Sequence, residues 1–154
     1  MTVNVVLFEP EIPQNTGNIA RTCACTGARL HLVEPRGFRL SNRQLERAGM
    51  DYWDKVEVVR WSCTAEFLEA HGKDDLHFFT GKAGCSYVER TYDDEAYLVF
   101  GRESRGIDEQ ILQDNSQHCA RIPMSGDMRS LNLSNAVAIA VYEVLRRTGF
   151  AGLG

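Results

Sequence analysis

Three segments of this 154-residue chain concentrate side chains suited to an anionic ligand or to a charge that develops during a reaction. NTGNIAR, residues 15–21, places the amides of Asn15 and Asn18 near the start of an expected helix, with Asn15 or Thr16 near its cap and Arg21 about two turns along. A guanidinium in that place offers paired N–H donors to a phosphate or an oxyanion. Alone, the segment reads equally as a helix cap followed by a surface arginine. LVFGRESRG, residues 98–106, ends an apolar run on Gly101 and carries Glu103 ahead of Gly106. Gly101 there permits close backbone approach to a ligand, and Gly106 a turn that a side chain would obstruct. From Arg121, RIPMSGDMRSLNLSNA stops a strand at Pro123 and gathers Ser130, Asn132, Ser134 and Asn135 where an apolar helix begins. One N-cap needs fewer polar groups than that, and the surplus suggests ligand contacts.

Several chemistries are disfavoured. GRESRG spans G-x-x-x-x-G, but Ile107 and Asp108 stand where a phosphate loop requires Lys and Ser/Thr, and no G-x-G-x-x-G follows a strand. Nucleoside triphosphates and dinucleotides are therefore weak candidates. The five cysteines are odd in number and scattered, which suits free thiols better than a disulfide framework or zinc knuckles. Cys23 and Cys25 would point to different faces of one helix, so no metal is expected. The net charge of −4 argues against a protein that coats nucleic acid non-specifically. It leaves room for a local patch: RGFRLSNRQLER, residues 36–47, carries Arg36, Arg39, Arg43 and Arg47 against the single acid Glu46. That island is either a solvated helix face or a phosphate-binding surface, with Arg39 and Arg43 as its candidate contacts.

These segments need a scaffold, and the hydrophobic pattern supplies one. Strands are expected from Val3, Arg29, Val56, Leu76, Ala96 and, as HCARIP, from His118. Helices are expected after Asn15 with a stop at Gly27, from a Ser41 cap to about Ala48, over 64–70, over 108–113, and over 133–148 with Gly149 at the end. Alternating strands and helices predict an α/β fold, a mainly parallel sheet with helices on both faces. Apolar residues make up 44% of the chain and charged residues 25%, the balance of a globular protein, and the length suits one domain over 1–154. No apolar stretch is long enough to cross a bilayer, so a cytoplasmic location without a membrane partner is expected. In an open parallel sheet, ligands bind beyond the carboxyl ends of the strands, where all three polar segments should fall.

In this order, N-x-G-N-x-x-R, F-G-x-E-x-x-G and I-P-M…S-L-N-L-S-x-A resemble the motifs of the SPOUT methyltransferases, TrmH-like branch, over nearly the whole chain. FEPEIPQNTGN together with RAGMDYW is similar to the members that methylate the ribose 2′-oxygen of the tRNA wobble nucleotide, position 34. The resemblance implies S-adenosylmethionine as methyl donor, no metal, a C-terminal trefoil knot around the cofactor, and an obligate homodimer acting on the tRNA anticodon stem-loop. A knotted domain that binds RNA without methylating it, or a 2′-O-methyltransferase for another tRNA or rRNA site, is the alternative. Carried over by position, Asn15, Arg21, Glu103, Ser130 and Asn132 match catalytic positions. Cofactor contacts would come from Phe79 and Thr80, from Gly101 and Glu103, and from Ile122, Met124, Ser130 and Leu131. Arg21, Arg39 and Arg43 would meet RNA.

The reaction would depend mainly on alignment of a ribose hydroxyl with an already activated methyl group. A guanidinium does not ordinarily lose its proton, so Arg21 is expected to clamp a phosphate and stabilise the forming alkoxide, with Glu103 ordering Arg21 or nearby backbone. The apolar stripe Val137, Ala140, Val141, Val144 and Leu145 is expected to join the dimer interface, with Tyr142 beside it.

Overall fold

The computed structural model describes residues 1–35, 43 and 52–154. Within them, six strands form one sheet: β1 (Thr2–Phe8), β2 (Arg29–Val33), β3 (Val58–Trp61), β4 (Asp75–Phe79), β5 (Glu95–Phe100) and β6 (Cys119–Ala120). They lie in the order β3-β2-β1-β5-β4-β6, and every pairing is parallel. Helix α1 (Pro13–Thr26) and the final helix α4 (Leu133–Arg146) pack on one face; α2 (Thr64–His71) and α3 (Glu109–Asp114) pack on the other.

The pleat explains the two-sided core. Successive side chains of a strand point to opposite faces, so Val3, Val5 and Leu7 of β1 meet Ile19, Ala20 and Cys23 of α1, whereas Val6 and Phe8 meet Phe67 of α2. Burial on both faces is what made β1, β4 and β5 near-continuous apolar runs. A fully buried side chain such as Phe67 or Leu98 contributes on the order of 1.5–3 kcal/mol over its exposed state.

The expected stripe on α4 has a different destination. Val137, Ala140, Val141, Val144 and Leu145 are all buried within this chain, packed with α1 and the sheet, so they are core and not interface. The outward face carries Ile139 and Tyr142 instead, exposed by 38% and 45%. The start of α1 also differs from expectation. Ile12, not Asn15 or Thr16, is the N-cap of α1, because Pro13 takes the first helical position, where its missing N–H costs nothing. Gly27 does close that helix, in the left-handed conformation with φ 78°. HCARIP yields only a two-residue strand, since Arg121 leaves the sheet to bridge Ser86. Apart from Arg43, which is exposed, the helix expected from Ser41 lies outside the described residues, as does Arg39.

Strand β1 pairs with β2 on one side and β5 on the other, so the connections leaving β1 and β5 run in opposite directions around the sheet. Their carboxyl ends frame the crevice where parallel sheets bind ligands. At the end of β1 the chain turns sharply at Glu9, whose φ of 54° is unusual for a residue with a side chain. Its N–H donates to the Val33 carbonyl at 2.7 Å, and its carboxylate pairs with Arg102 at 3.4 Å, which hold the turn in place.

Candidate active site

Two loops interlock at that crevice. The carboxylate of Glu103, in the loop after β5, accepts from the backbone N–H of Glu11 and of Ile12, each at 2.9 Å, and from the Asn15 amide at 3.1 Å. In return, Glu11 accepts from the Ser104 backbone N–H at 2.9 Å and from its hydroxyl at 2.7 Å. Those two bonds from Ser104 hold the Glu11 carboxyl below its ordinary range. Each loop thus satisfies donors of the other, and Glu103 sits at the positive end of α1, where a carboxylate is favoured. Arg102 fastens the arrangement from beneath through Asp108 at 2.9 Å.

The third segment joins at Asn132. Its side-chain oxygen caps α4, accepting from the backbone of Ser134 at 3.0 Å and of Asn135 at 3.4 Å, while its amide donates to the Asn15 oxygen at 3.3 Å. One continuous chain of hydrogen bonds therefore runs Glu103, Asn15, Asn132, through residues up to 117 apart in sequence. Asn15 is buried, Glu103 half-buried and Asn132 exposed, so the chain opens from the core to the surface. Residues 2–142 match the SpoU rRNA Methylase family. The chain belongs to that family.

Similar proteins agree with this placement. The tRNA (cytidine(34)-2′-O)-methyltransferase of Escherichia coli strain K12 is 46% identical over 151 residues, which cover 97% of this chain and 96% of that one. A solved structure bearing on 2-OH methylation of C/U34 on tRNA superposes with a TM-score of 0.86 at 43% identity, covering 96% of this chain and 97% of its own. An AdoMet-bound rRNA methyltransferase from Sinorhizobium meliloti superposes with a TM-score of 0.81 at 25% identity, covering 95% of this chain and 56% of its own.

Arg21 is exposed on α1, and its guanidinium carbon stands 5.0 Å from the centre of the Tyr52 ring. Glu103 orders backbone and Asn15; among the described residues it has no bond to Arg21. Ser130 is exposed in the loop before Asn132. Gly101 needs its lack of a side chain for a reason other than ligand approach: a Cβ there would lie 2.1 Å from the Gly106 carbonyl carbon and 2.2 Å from the Ile107 nitrogen, inside its own loop. Gly106 has open space around it, and its φ of 70° is what favours glycine.

The loops after β4 and β6 also meet. A Cβ on Gly81 would stand 3.9 Å from the Met124 methyl, and Phe79 stacks on Phe100 with ring centres 4.7 Å apart. Ile122 and Met124 are half-buried and Leu131 is exposed by 38%, so the 122–131 loop presents apolar surface beside polar backbone. That combination fits S-adenosylmethionine, whose adenine seeks apolar contact and whose polar edges need backbone partners. Glu11 and Tyr52 escaped sequence reasoning as site residues. Both lie within quoted stretches, FEPEIPQNTGN and RAGMDYW, but their partners, Ser104 and Arg21, are distant in sequence.

Proposed function

We propose that this protein transfers a methyl group from S-adenosylmethionine to the ribose 2′-hydroxyl of nucleotide 34, cytidine or modified uridine, in the tRNA anticodon stem-loop. The observation that carries the reading is the hydrogen-bonded junction of Glu103, Asn15 and Asn132, in a chain 46% identical to an enzyme named for that reaction. When bound, the cofactor supplies an electrophilic methyl group. Phe79, Thr80, Gly101, Ile122, Met124, Ser130 and Leu131 would hold it, with Glu103 fixing the loop that bears it.

The polypeptide's own task is alignment. Glu103 and Asn132 fix Asn15 and the start of α1, and that helix carries Arg21 outward. Arg21 keeps its proton, grips an RNA phosphate and stabilises negative charge as it grows on the 2′-oxygen. Ser130 shapes the ribose pocket, and Arg39 and Arg43 extend the phosphate contacts. A single domain over 1–154 does all of this in the cytoplasm.

The contacts on both sides of residues 119–121 are compatible with a trefoil knot and support that part of the reading. Residues 119–121 run between β4 and the 83–87 loop: Thr80 N–H donates to the Ala120 carbonyl at 2.9 Å, Arg121 N–H to Cys85 at 2.9 Å, and Tyr87 N–H to Arg121 at 2.8 Å. A homodimer is supported by the apolar surface left on the last turns, where Ile139, Tyr142 and Phe150 are exposed and the Tyr142 and Phe150 rings lie 6.3 Å apart. A second copy is the occupant that this surface fits.

Incubation with labelled S-adenosylmethionine and bulk tRNA, followed by nucleoside analysis, tests the reaction: label should appear in 2′-O-methylated nucleosides at position 34. Arg21→Ala should slow single-turnover methylation of saturating tRNA by about a hundredfold, on the order of 3 kcal/mol, with cofactor affinity by calorimetry unchanged. Loss of cofactor binding in that variant would place Arg21 on the wrong side of the reacting centre.

A further inference from the structure

Several arginines of this protein are held by carboxylates. Arg29 pairs with Glu57 and Glu95, Arg102 with Asp108 and Glu9, and Arg146 and Arg147 share Glu143. Arg21 is different: among the described residues no carboxylate reaches it, and its guanidinium instead lies over the Tyr52 ring, 5.0 Å from the centre. The two ways of holding a cation have opposite consequences for an anionic ligand. A carboxylate occupies N–H donors and cancels the charge, so an incoming phosphate must displace it. An aromatic face attracts the cation through its quadrupole and leaves every N–H of the guanidinium edge unused.

The ring is itself well supported. Tyr52 stands at the start of a 3-10 turn, Trp53–Lys55, closed by the Lys55 N–H to the Tyr52 carbonyl at 2.9 Å. Trp53 packs against the core cluster that includes Ile19 and Ala20 of α1, and Val56 is buried in the same cluster. Tyr52 is therefore tied to the helix that carries Arg21, through neighbours that cannot move without opening the core. Its hydroxyl has no hydrogen-bond partner among the described residues, so the ring face is the contact.

We propose that Tyr52 is a positioning residue for methyl transfer, a platform that orients the Arg21 guanidinium toward RNA phosphate without neutralising it. The proposal rests on the reading of Arg21 given above. It predicts a specific pattern in single-turnover methylation of saturating tRNA. Tyr52→Leu, which keeps an apolar side chain but has no ring face, should slow transfer by about two- to fivefold, the range expected for a partly exposed cation–π contact. Tyr52→Phe retains the face and should hold the starting rate. Calorimetric affinity for S-adenosylmethionine and the thermal unfolding midpoint should be the same in both. The salt dependence of tRNA binding should also keep its slope in Tyr52→Leu, because the charge on Arg21 is unchanged.

The decisive comparison repeats Tyr52→Leu in an Arg21→Ala background, where a residue acting only through Arg21 has nothing left to act on and the second substitution should cost nothing more. Multiplying losses would overturn the proposal, as would a normal rate in Tyr52→Leu or an equal fall in Tyr52→Phe, which would assign the effect to the hydroxyl. Slow transfer in Arg21→Ala beside normal transfer in Tyr52→Leu would refute only the role of Tyr52. A normal rate in Arg21→Ala would refute the reading of Arg21 and the proposal together.

Discussion

Polar networks cross strands at both ends of the sheet, and they are built differently. At the amino end of β1, Asn4 is fully buried and its side-chain oxygen meets His31 at 3.0 Å and Arg29 at 3.2 Å. The Trp61 indole, a donor only, gives its N–H to Nδ1 of His31 at 3.1 Å, so Nε2 carries the ring proton and donates to Asn4. Both ring nitrogens are used, and where the cluster reaches the surface Arg29 is already paired with Glu57 and Glu95. At the carboxyl end, Glu103, Asn15 and Asn132 form a chain that ends at the surface, beside Arg21 and Ser130, which are exposed. A closed network, whose groups are all paired, has little left to offer a ligand; an open one, which ends on unpaired exposed groups, has more. Concavity alone would have misled. The amino end also carries a hollow of about 680 Å³, but Asp74, Asp75, Asp93, Asp94 and Glu95 line it against Lys73, a field that repels RNA phosphates.

The harshest way to break the open end is a methyl group on Gly101. A Cβ 2.1 Å from the Gly106 carbonyl carbon forces the 101–107 loop to move, and Glu103 moves with it. Gly101→Ala should abolish measurable S-adenosylmethionine binding by calorimetry and loosen the start of α1, while destabilising the fold by only about 1–3 kcal/mol, the usual range for overpacking. Because the clash is inside the loop, the Arg21 side of the site is affected as well, and methylation of tRNA should fall below detection. Normal cofactor binding in Gly101→Ala would mean that the loop yields without consequence.

Gly101 also illustrates what sequence could and could not say. The order of strands and helices was legible because β1 and β5 are short continuous apolar runs and α4 keeps a period of 3.6, and the three polar segments were legible because strand ends and helix starts adjoin them. Which atoms close on Gly101 was not, since a glycine after a strand looks the same whether a ligand or its own loop approaches. The cap of α1 was legible in Pro13 and was misplaced by reading past it; what sequence did not show is that Glu103, 91 residues from Ile12, satisfies the backbone N–H groups before that helix. The α4 stripe went wrong through counting, because α1 and α4 share one face of the sheet and together bury more apolar surface than a lone helix would.

The closed end should be read through stability and pH. Burial pushes His31 down to about 4, with nearby His71 and Arg29 adding to the effect, so it is neutral in the folded protein at pH 7. In the unfolded chain it titrates near 6.5. Between those values the unfolded state takes up a proton that the folded state refuses. Stability is therefore fully present above pH 6.5 and is lost as pH falls toward 4, by about 2–3 kcal/mol, after which the loss levels off. Urea unfolding at pH 7 and pH 5 should show this loss in the starting protein and a smaller one in His31→Gln, which cannot be protonated. An equal loss in both would assign the acid sensitivity to other groups.

The smallest expected effect separates the two jobs of Asn132. Its oxygen caps α4 and its amide holds Asn15, so Asn132→Ala loses both and should cost about 1 kcal/mol in unfolding, the usual value of a cap. Asn132→Asp keeps the acceptor for Ser134 and Asn135, and its charge suits the helix start, so its unfolding midpoint should equal or exceed the original. What it cannot do is donate. Asn15 would then turn its own amide toward the new carboxylate and release Glu103, or keep Glu103 and face a repelling oxygen; either way the chain across the three motifs is cut. Loss of one such bond is worth about 0.5–1.5 kcal/mol, so single-turnover methylation should slow by up to about tenfold in a protein that is no less stable. If Asn132→Asp methylates tRNA at the original rate, the contact with Asn15 is packing, and the open network ends at Asn15 instead of reaching the third motif.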